Sequence, residues 1–271
     1  DVAQINIENN VATGVTMSDG RVINAKIVVS GAGYATTIEK LLPEAVVKKH
    51  KYDEKLKQVR PSAAHVCLYI GFKESSADLK LPKANYWLYP DIYDHELIVQ
   101  RFLDDPSQDL PVTYISFPSA KDPDWDRRYP GRSTVEIITV APYEWFEEWD
   151  GTRWKKRGED YEKFKEEISQ RMLEKLYAVE PQLRGKVDYC ELSTPLSTQH
   201  FCNYSRGEIY GLDHTPERFG LRFLRPQTPV KGFFLTGQDV ATAGVGGALA
   251  SGMVTAGAIL KKNVLNDVLA S

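Results

Sequence analysis

The stretch that most constrains what this chain can fold into lies near its C-terminal end, GFFLTGQDVATAGVGGALASG at Gly232 to Gly252. Its apolar opening, to Gly237, reads as a buried strand, residues 238–246 as a loop of small side chains, and Gly247 to Asn263 as a Gly/Ala-rich helix. Glycines at 244, 246 and 247 strip side chains from the place where that helix begins. Backbone N–H groups at the positive end of the helix dipole are thereby opened to a large planar or phosphorylated ligand. Asp239, just past the strand, is placed to accept hydrogen bonds from the hydroxyls of a ribityl or ribose chain. The segment is not GxGxxG, so close helix packing competes with nucleotide binding as the reason for the same glycines. A membrane span competes as well, because Val240 to Leu260 carries no charge and Ala248, Gly252 and Ala256 form a small-residue face. Its Gly and Ala content makes that run only weakly apolar, and Lys261-Lys262 alone is a poor orientation signal.

The rest of the chain reads in two styles. Val2 to Glu8 and Val11 to Met17 form a meander around Asn9-Asn10, Asp19-Gly20 is a hairpin turn, and a third strand follows. Ile27-Val28-Val29 is a continuous apolar run of the kind buried on both faces of a sheet. A brief helical pattern at Thr36 to Leu42 stops at Pro43, and residues 44–60 form an exposed charged helix or connector. Aromatic and β-branched strands are then predicted at 63–72, 85–89, 97–102, 112–117 and 134–140, which suits an antiparallel sheet. An amphipathic helix spans about 160–179, ended by Pro181, and a strand lies at 186–192. Residues 193–229 hold so many Pro and Gly that an irregular, functional stretch is expected.

With 271 residues, one large domain or two modest ones fit. Lys plus Arg at 34 against Asp plus Glu at 37 gives a net charge of -3, so no global attraction for nucleic acid exists. Cys67, Cys190 and Cys202 are odd in number and lack a C-x-x-C pair, which suggests neither a disulfide framework nor a metal site. No signal segment is evident, and a strand-like start at Asp1 without Met suggests a piece of a longer polypeptide in a reducing, cytoplasmic setting.

Four motifs carry a family resemblance: TPL at 194–196, RGEIYGLDH at 206–214, LTGQD with GVGGAL between 235 and 249, and DGR-x-I-x-A-x-x-VVSGAG at 19–33. Together they resemble the phytoene desaturase and retinol saturase family of FAD-dependent oxidoreductases, within the wider amine oxidase superfamily. The resemblance implies an α/β fold with an α+β substrate lobe. Residues 1–45 and 226–271 would form a partial, Rossmann-like FAD-binding domain without its N-terminal GxGxxG unit, and 46–225 an antiparallel-sheet substrate domain with helices. It implies FAD as cofactor and a hydrophobic isoprenoid or polyene substrate oxidised or reduced at a C–C or C=C bond. Gly237, Asp239, Gly244, Val245, Gly246, Gly247 and Ala248 would face the flavin, with Asp239 on the ribityl chain. Val2 would lie on the strand whose backbone reaches the adenine. Isolated from its N-terminal half, such a chain is expected to be inactive.

The catalytic residue is not assigned; His200 and His214, the histidines nearest the presumed flavin mouth, are candidate proton donors, against a bland structural reading for each. Arg206 and Arg222 suit a polar substrate end or ordinary ion pairs. Trp145, Phe146, Trp149 and Trp154, flanked by Lys155-Lys156-Arg157, suit a peripheral membrane contact or packing on the sheet. Two further readings are a noncatalytic hydrophobic-ligand or interaction module and a flavin amine oxidase.

Overall fold

A computed structural model of the protein describes residues 1–90 and 93–270. The chain divides into two compact units, residues 1–62 with 208–271 and residues 63–207. The first unit therefore takes in 46–62 and 208–225, beyond the 45/46 and 225/226 divisions read from sequence. The physical reason is a seam of polar contacts within that unit. Ser62 N donates to the Gly211 carbonyl at 2.7 Å, Asp213 N donates to the Arg60 carbonyl at 2.8 Å, and Arg60 pairs with Asp213 at 2.6 Å.

Strands β1 (Val2–Glu8), β2 (Val11–Met17) and β3 (Val22–Asn24) form an antiparallel sheet in that order. Asn9 and Asn10 both adopt left-handed φ, +49° and +66°, the geometry that turns a two-residue hairpin with the right twist. Gly14 admits β3, because a Cβ there would sit 2.0 Å from the Ile23 carbonyl oxygen. β4 (Val28–Ser30) pairs in parallel with a strand near the C-terminus, Phe233–Leu235. Val28 is buried, whereas Ile27 and Val29 are 46% and 43% exposed, so the run is not buried on both faces as expected. Only its alternate residues face the cluster of Ile5, Ala12, Tyr34, Phe233 and Leu235, a period-2 consequence of packing on one side. The exposed connector of 44–60 is two short helices, Glu44–Lys49 and Tyr52–Leu56, and buries Tyr52.

The second unit is built on β5 (His65–Phe72), β6 (Tyr86–Leu88), β7 (Thr113–Ser116), β8 (Ser133–Val140) and β9 (Val187–Ser193), ordered β6-β7-β8-β5-β9 and antiparallel throughout. Val66, Leu68, Ile70 and Phe72 alternate onto one face with Val135 and Ile137, and there meet Ile168, Met172 and Leu176. Those last three lie on the Glu159–Val179 helix at spacings of four, one stripe of a 3.6-residue period. Glu159, Asp160 and Glu162 in its first turn complement the helix dipole.

Two segments depart from the sequence reading. Leu97 to Phe102, expected as a strand, lies in the helix His95–Asp104. Asp94 caps it by accepting from Leu97 N at 3.0 Å, and Ile98 and Phe102, four apart, are its buried residues. The stretch after Ser193, expected as irregular, opens with the helix Pro195–Cys202, capped reciprocally by Thr194 and Ser197. Pro195 occupies the first turn, where its missing N–H costs nothing. Pro216 likewise starts the short helix Pro216–Phe219.

Leu68 is fully buried and pairs with Ile137 at the middle of the sheet, while Tyr69 points to the other face and is 44% exposed. Leu68→Ala is expected to lower unfolding stability by about 3 kcal/mol. Tyr69→Thr should cost no more than about 1 kcal/mol. Urea denaturation of both variants checks the assignment of faces, and equal losses would contradict it.

Candidate functional site

The strand Phe233–Leu235 delivers the chain to Gly237, whose φ of +96° bends it into the loop that carries Asp239. Asp239 is 5% exposed. One carboxylate oxygen accepts from Tyr34 N at 2.7 Å and the other from Leu212 N at 2.8 Å. Gly211 makes this approach feasible, since its φ is +65° and a Cβ would lie 2.3 Å from an Asp239 oxygen. The side chain expected to receive ligand hydroxyls thus already holds three segments of the first unit together.

Arg218 completes the arrangement, and nothing in the sequence reading singled it out. It is 4% exposed, and its Nη2 donates to the carbonyls of Gln238 and Asp239 at 2.9 and 2.8 Å. Its Nε and Nη1 meet no hydrogen-bond partner among the described residues. Burial lowers the Arg218 pKa, opposed by the charges of Asp239 and Asp213. Burial, followed by the Arg218 charge, also holds His214 below the ordinary histidine value, and burial alone does so for His65 in the second unit. The Thr215-Pro216 pair, a helix start in miniature, was the available signal; the arginine itself looks like any surface charge.

The helix expected from Gly247 begins earlier, at Gly244–Leu260, with Ala243 at its cap and no side-chain hydrogen bond to its first amides. Its glycines separate into two kinds. Gly247 is buried, and a Cβ there would meet the Thr242 carbonyl oxygen at 2.0 Å. At Gly244 and Gly246 a Cβ would meet nothing within 4 Å. Val245 between them is 89% exposed, Leu249 is 72% exposed, and Ala248 is exposed. On the opposite side the helix is pinned by Ser251, whose Oγ accepts from Gly237 N at 2.9 Å, and by Thr255, whose hydroxyl donates to the Leu235 carbonyl at 3.0 Å. Packing explains Gly247 and a φ of +81° calls for glycine at 244, whereas Gly246 has neither reason and leaves open space beside uncapped amides. That opening suits a planar ring with acceptor atoms along one edge. Val2, on β1, is 37% exposed.

In the second unit the sheet presents a different surface on the face away from its core. Trp87, Tyr114, Ile138 and Cys67 stand in register across four strands, and Tyr69 and Tyr189 occupy neighbouring rows. The Trp87 and Tyr114 rings are 4.7 Å apart, and Trp87, Tyr69 and Tyr189 are substantially exposed. Alternation of aromatic residues along the predicted strands could have shown this face. Burial pushes the Cys67 thiol up to about 11, which makes it a poor nucleophile.

His200 stacks on Trp154 with ring centres 5.4 Å apart. Trp145, Phe146 and Trp149, grouped with Trp154 in the membrane-contact reading, instead pack inward. Phe146 is fully buried, and Trp149 lies on Tyr161 and Phe164 of the Glu159–Val179 helix. The 3-10 turn Tyr143–Trp149 carries these rings onto the core, with Trp145 and Trp149 partly buried, while Trp154 is exposed. Arg206 pairs with Glu144 and covers the Tyr143 ring at 4.7 Å. No described helix is long and apolar enough to cross a membrane.

Two outcomes test the buried polar knot. Asp239→Asn turns one acceptor oxygen into a donor facing a backbone amide, and urea unfolding is expected to show a loss of about 2 kcal/mol. The histidines set a pH dependence. The unfolded chain takes up protons at His65 and His214 near pH 6.5, whereas the folded chain takes them up only at lower pH, so stability falls as pH drops. The urea midpoint should be lower at about pH 5.5 than at about 7.5, and His214→Gln should flatten the difference.

A comparison with known proteins places these features among relatives. The profile described as "Flavin containing amine oxidoreductase" matches residues 1–260. All-trans-retinol 13,14-reductase of Homo sapiens is 37% identical over 267 residues, covering 95% of this chain and 44% of that protein. Phytoene desaturase of Neurospora crassa is 26% identical, covering 93% of this chain and 40% of that protein. The chain therefore spans less than half the length of these relatives. Among solved structures, an oxidoreductase from Methanosarcina mazei shares the fold, with a TM-score of 0.55, 16% identity, and 97% and 49% of the two chains covered. By the match over nearly its whole length, the chain belongs to the family of flavin-containing amine oxidoreductases.

Proposed function

We propose that this chain is the C-terminal part of an FAD-dependent oxidoreductase acting on a C–C or C=C bond of an isoprenoid or polyene. The observation that carries the reading is the opening at Gly244 and Gly246, where uncapped amides at the start of a 17-residue helix face space with no Cβ in it. Bound there, the flavin supplies hydride exchange at N5. The free amides at Gly244 to Gly246 would hold an electron-rich edge of that ring, and the helix dipole would add to this. Asp239 and Gly237 fix the loop that holds these amides in place. Val2 belongs to the strand that reaches the adenine end. The substrate class follows from relatives named for a retinol reductase and a phytoene desaturase, and from the aromatic sheet face of the second unit. Trp87 and Tyr114 offer aromatic contact to a long hydrocarbon, while Tyr69 in the neighbouring row is flanked by Glu136 and Glu191. Burial lowers the His214 pKa and so disfavours its protonated form, and the exposed His200 ring stacks on Trp154.

Gly246→Leu in the complete polypeptide separates ligand binding from folding. Leucine is a good helix former and finds open space, so stability should hold or rise by up to about 1 kcal/mol. FAD affinity should fall by more than about tenfold, seen as loss of the visible flavin absorption after gel filtration. Unchanged flavin binding would refute the placement. Turnover of an amine, with none of a polyene, would instead support an amine oxidase.

A further inference from the structure

The flavin reading gives no task to the most deeply buried positive charge of the first unit, Arg218. Its guanidinium has five N–H donors, of which the one on Nε and the two on Nη1 have no acceptor among the described residues. Burying a cation with three donors unfilled is a poor way to gain stability, and apolar residues of similar volume often do better in such places. What the side chain does achieve is specific: Nη2 bridges two consecutive carbonyls, those of Gln238 and Asp239. The same short loop is held on its other sides by different groups. Thr236 N donates to the Ser30 carbonyl, Gly237 N to Ser251, and the Asp239 carboxylate accepts from Tyr34 and Leu212. Four residues past Asp239 the chain reaches Ala243, the cap of the helix with the open amides.

We propose that Arg218 is the positioning residue of the flavin loop: by fixing the Gln238 and Asp239 carbonyls it sets the direction in which the amides at Gly244 to Gly246 are presented. The proposal rests on the flavin reading and adds to it a residue that touches neither cofactor nor substrate. Arg218 is itself held in place from its own short helix, with its backbone N–H on the Thr215 hydroxyl and its guanidinium 5.1 Å from the centre of the Phe219 ring.

Arg218→Met keeps length and removes both donors and charge, whereas Arg218→Lys retains an ammonium able to reach two carbonyls from one atom. In the complete polypeptide, Arg218→Met should speed amide hydrogen exchange at Val240 and Ala241 by about tenfold, with β5 and β8 unchanged. It should also raise the FAD dissociation constant by about tenfold and shift the visible flavin bands, and Arg218→Lys should restore both to within about threefold of the parent. A purely structural arginine would lower the unfolding midpoint but leave the band positions and the affinity of the folded fraction unchanged, and that result overturns the proposal. So does exchange at Val240 and Ala241 that matches the parent. If the unsubstituted polypeptide binds no flavin while Arg218→Met still loosens the loop, the flavin reading fails and the positioning of the loop stands. Should Arg218→Met not fold, Arg218→Gln, which keeps one amide donor group, carries the same readouts.

Discussion

A buried carboxylate that accepts amides from two distant segments organises the first unit. Asp239 is nearly inaccessible, and its charge is balanced by Tyr34 N, Leu212 N and the nearby Arg218 rather than by water. Hydrogen bonds to an ionised acceptor are the strong kind, and in a low-dielectric interior they cannot be exchanged cheaply for others. The position of the loop after the strand Phe233–Leu235 is therefore set by chain segments more than two hundred residues apart, at 34 and 239. Gly211 follows from the same demand, because only a residue without Cβ can lie against that carboxylate. The start of the Gly244–Leu260 helix inherits its place from this knot and from the Ser251 and Thr255 hydroxyls that pin it to the strand.

Glycine in this loop and helix start does two jobs that sequence alone does not separate. Helix packing and ligand approach were rival explanations for one run of glycines; packing holds at Gly247, backbone conformation with φ +81° calls for glycine at 244, and neither accounts for Gly246. Gly247 yields space to the Thr242 carbonyl, while Gly244 and Gly246 yield it to no protein atom. The exposed Val245 between them belongs to the second kind. A helix whose first amides lack caps and whose first turn holds three glycines around an exposed Val245 carries an unfilled electrostatic demand, which an electron-rich ring edge would satisfy.

Elements with strong local signals were legible. The Asn9-Asn10 hairpin, the alternation along β5 and β8, and the stripe on the Glu159–Val179 helix all follow from neighbours within a few residues. The motifs at 206–214 and 235–249 likewise pointed to a flavin protein before any geometry. What escaped was set by tertiary context. The run at 97–102 is apolar enough for a strand, and the cap at Asp94 with burial of Ile98 and Phe102 tips it to helix. Pro195 and Pro216 looked like breakers and are starters, since proline is harmless in a first turn. Arg218 was invisible because burial of an arginine depends on which carbonyls converge on it, and the two amide partners of Asp239 were not foreseen because they lie far away in sequence.

The central claim is that Gly244 and Gly246 open the helix start to a flavin ring. A crystal structure of the complete polypeptide with FAD tests it most directly. The pyrimidine edge of the ring is expected within hydrogen-bonding distance of the amides at Gly244 to Gly246, with no side chain between. Protein packed solidly against Gly244 and Gly246, and a cofactor elsewhere or none at all, would contradict it.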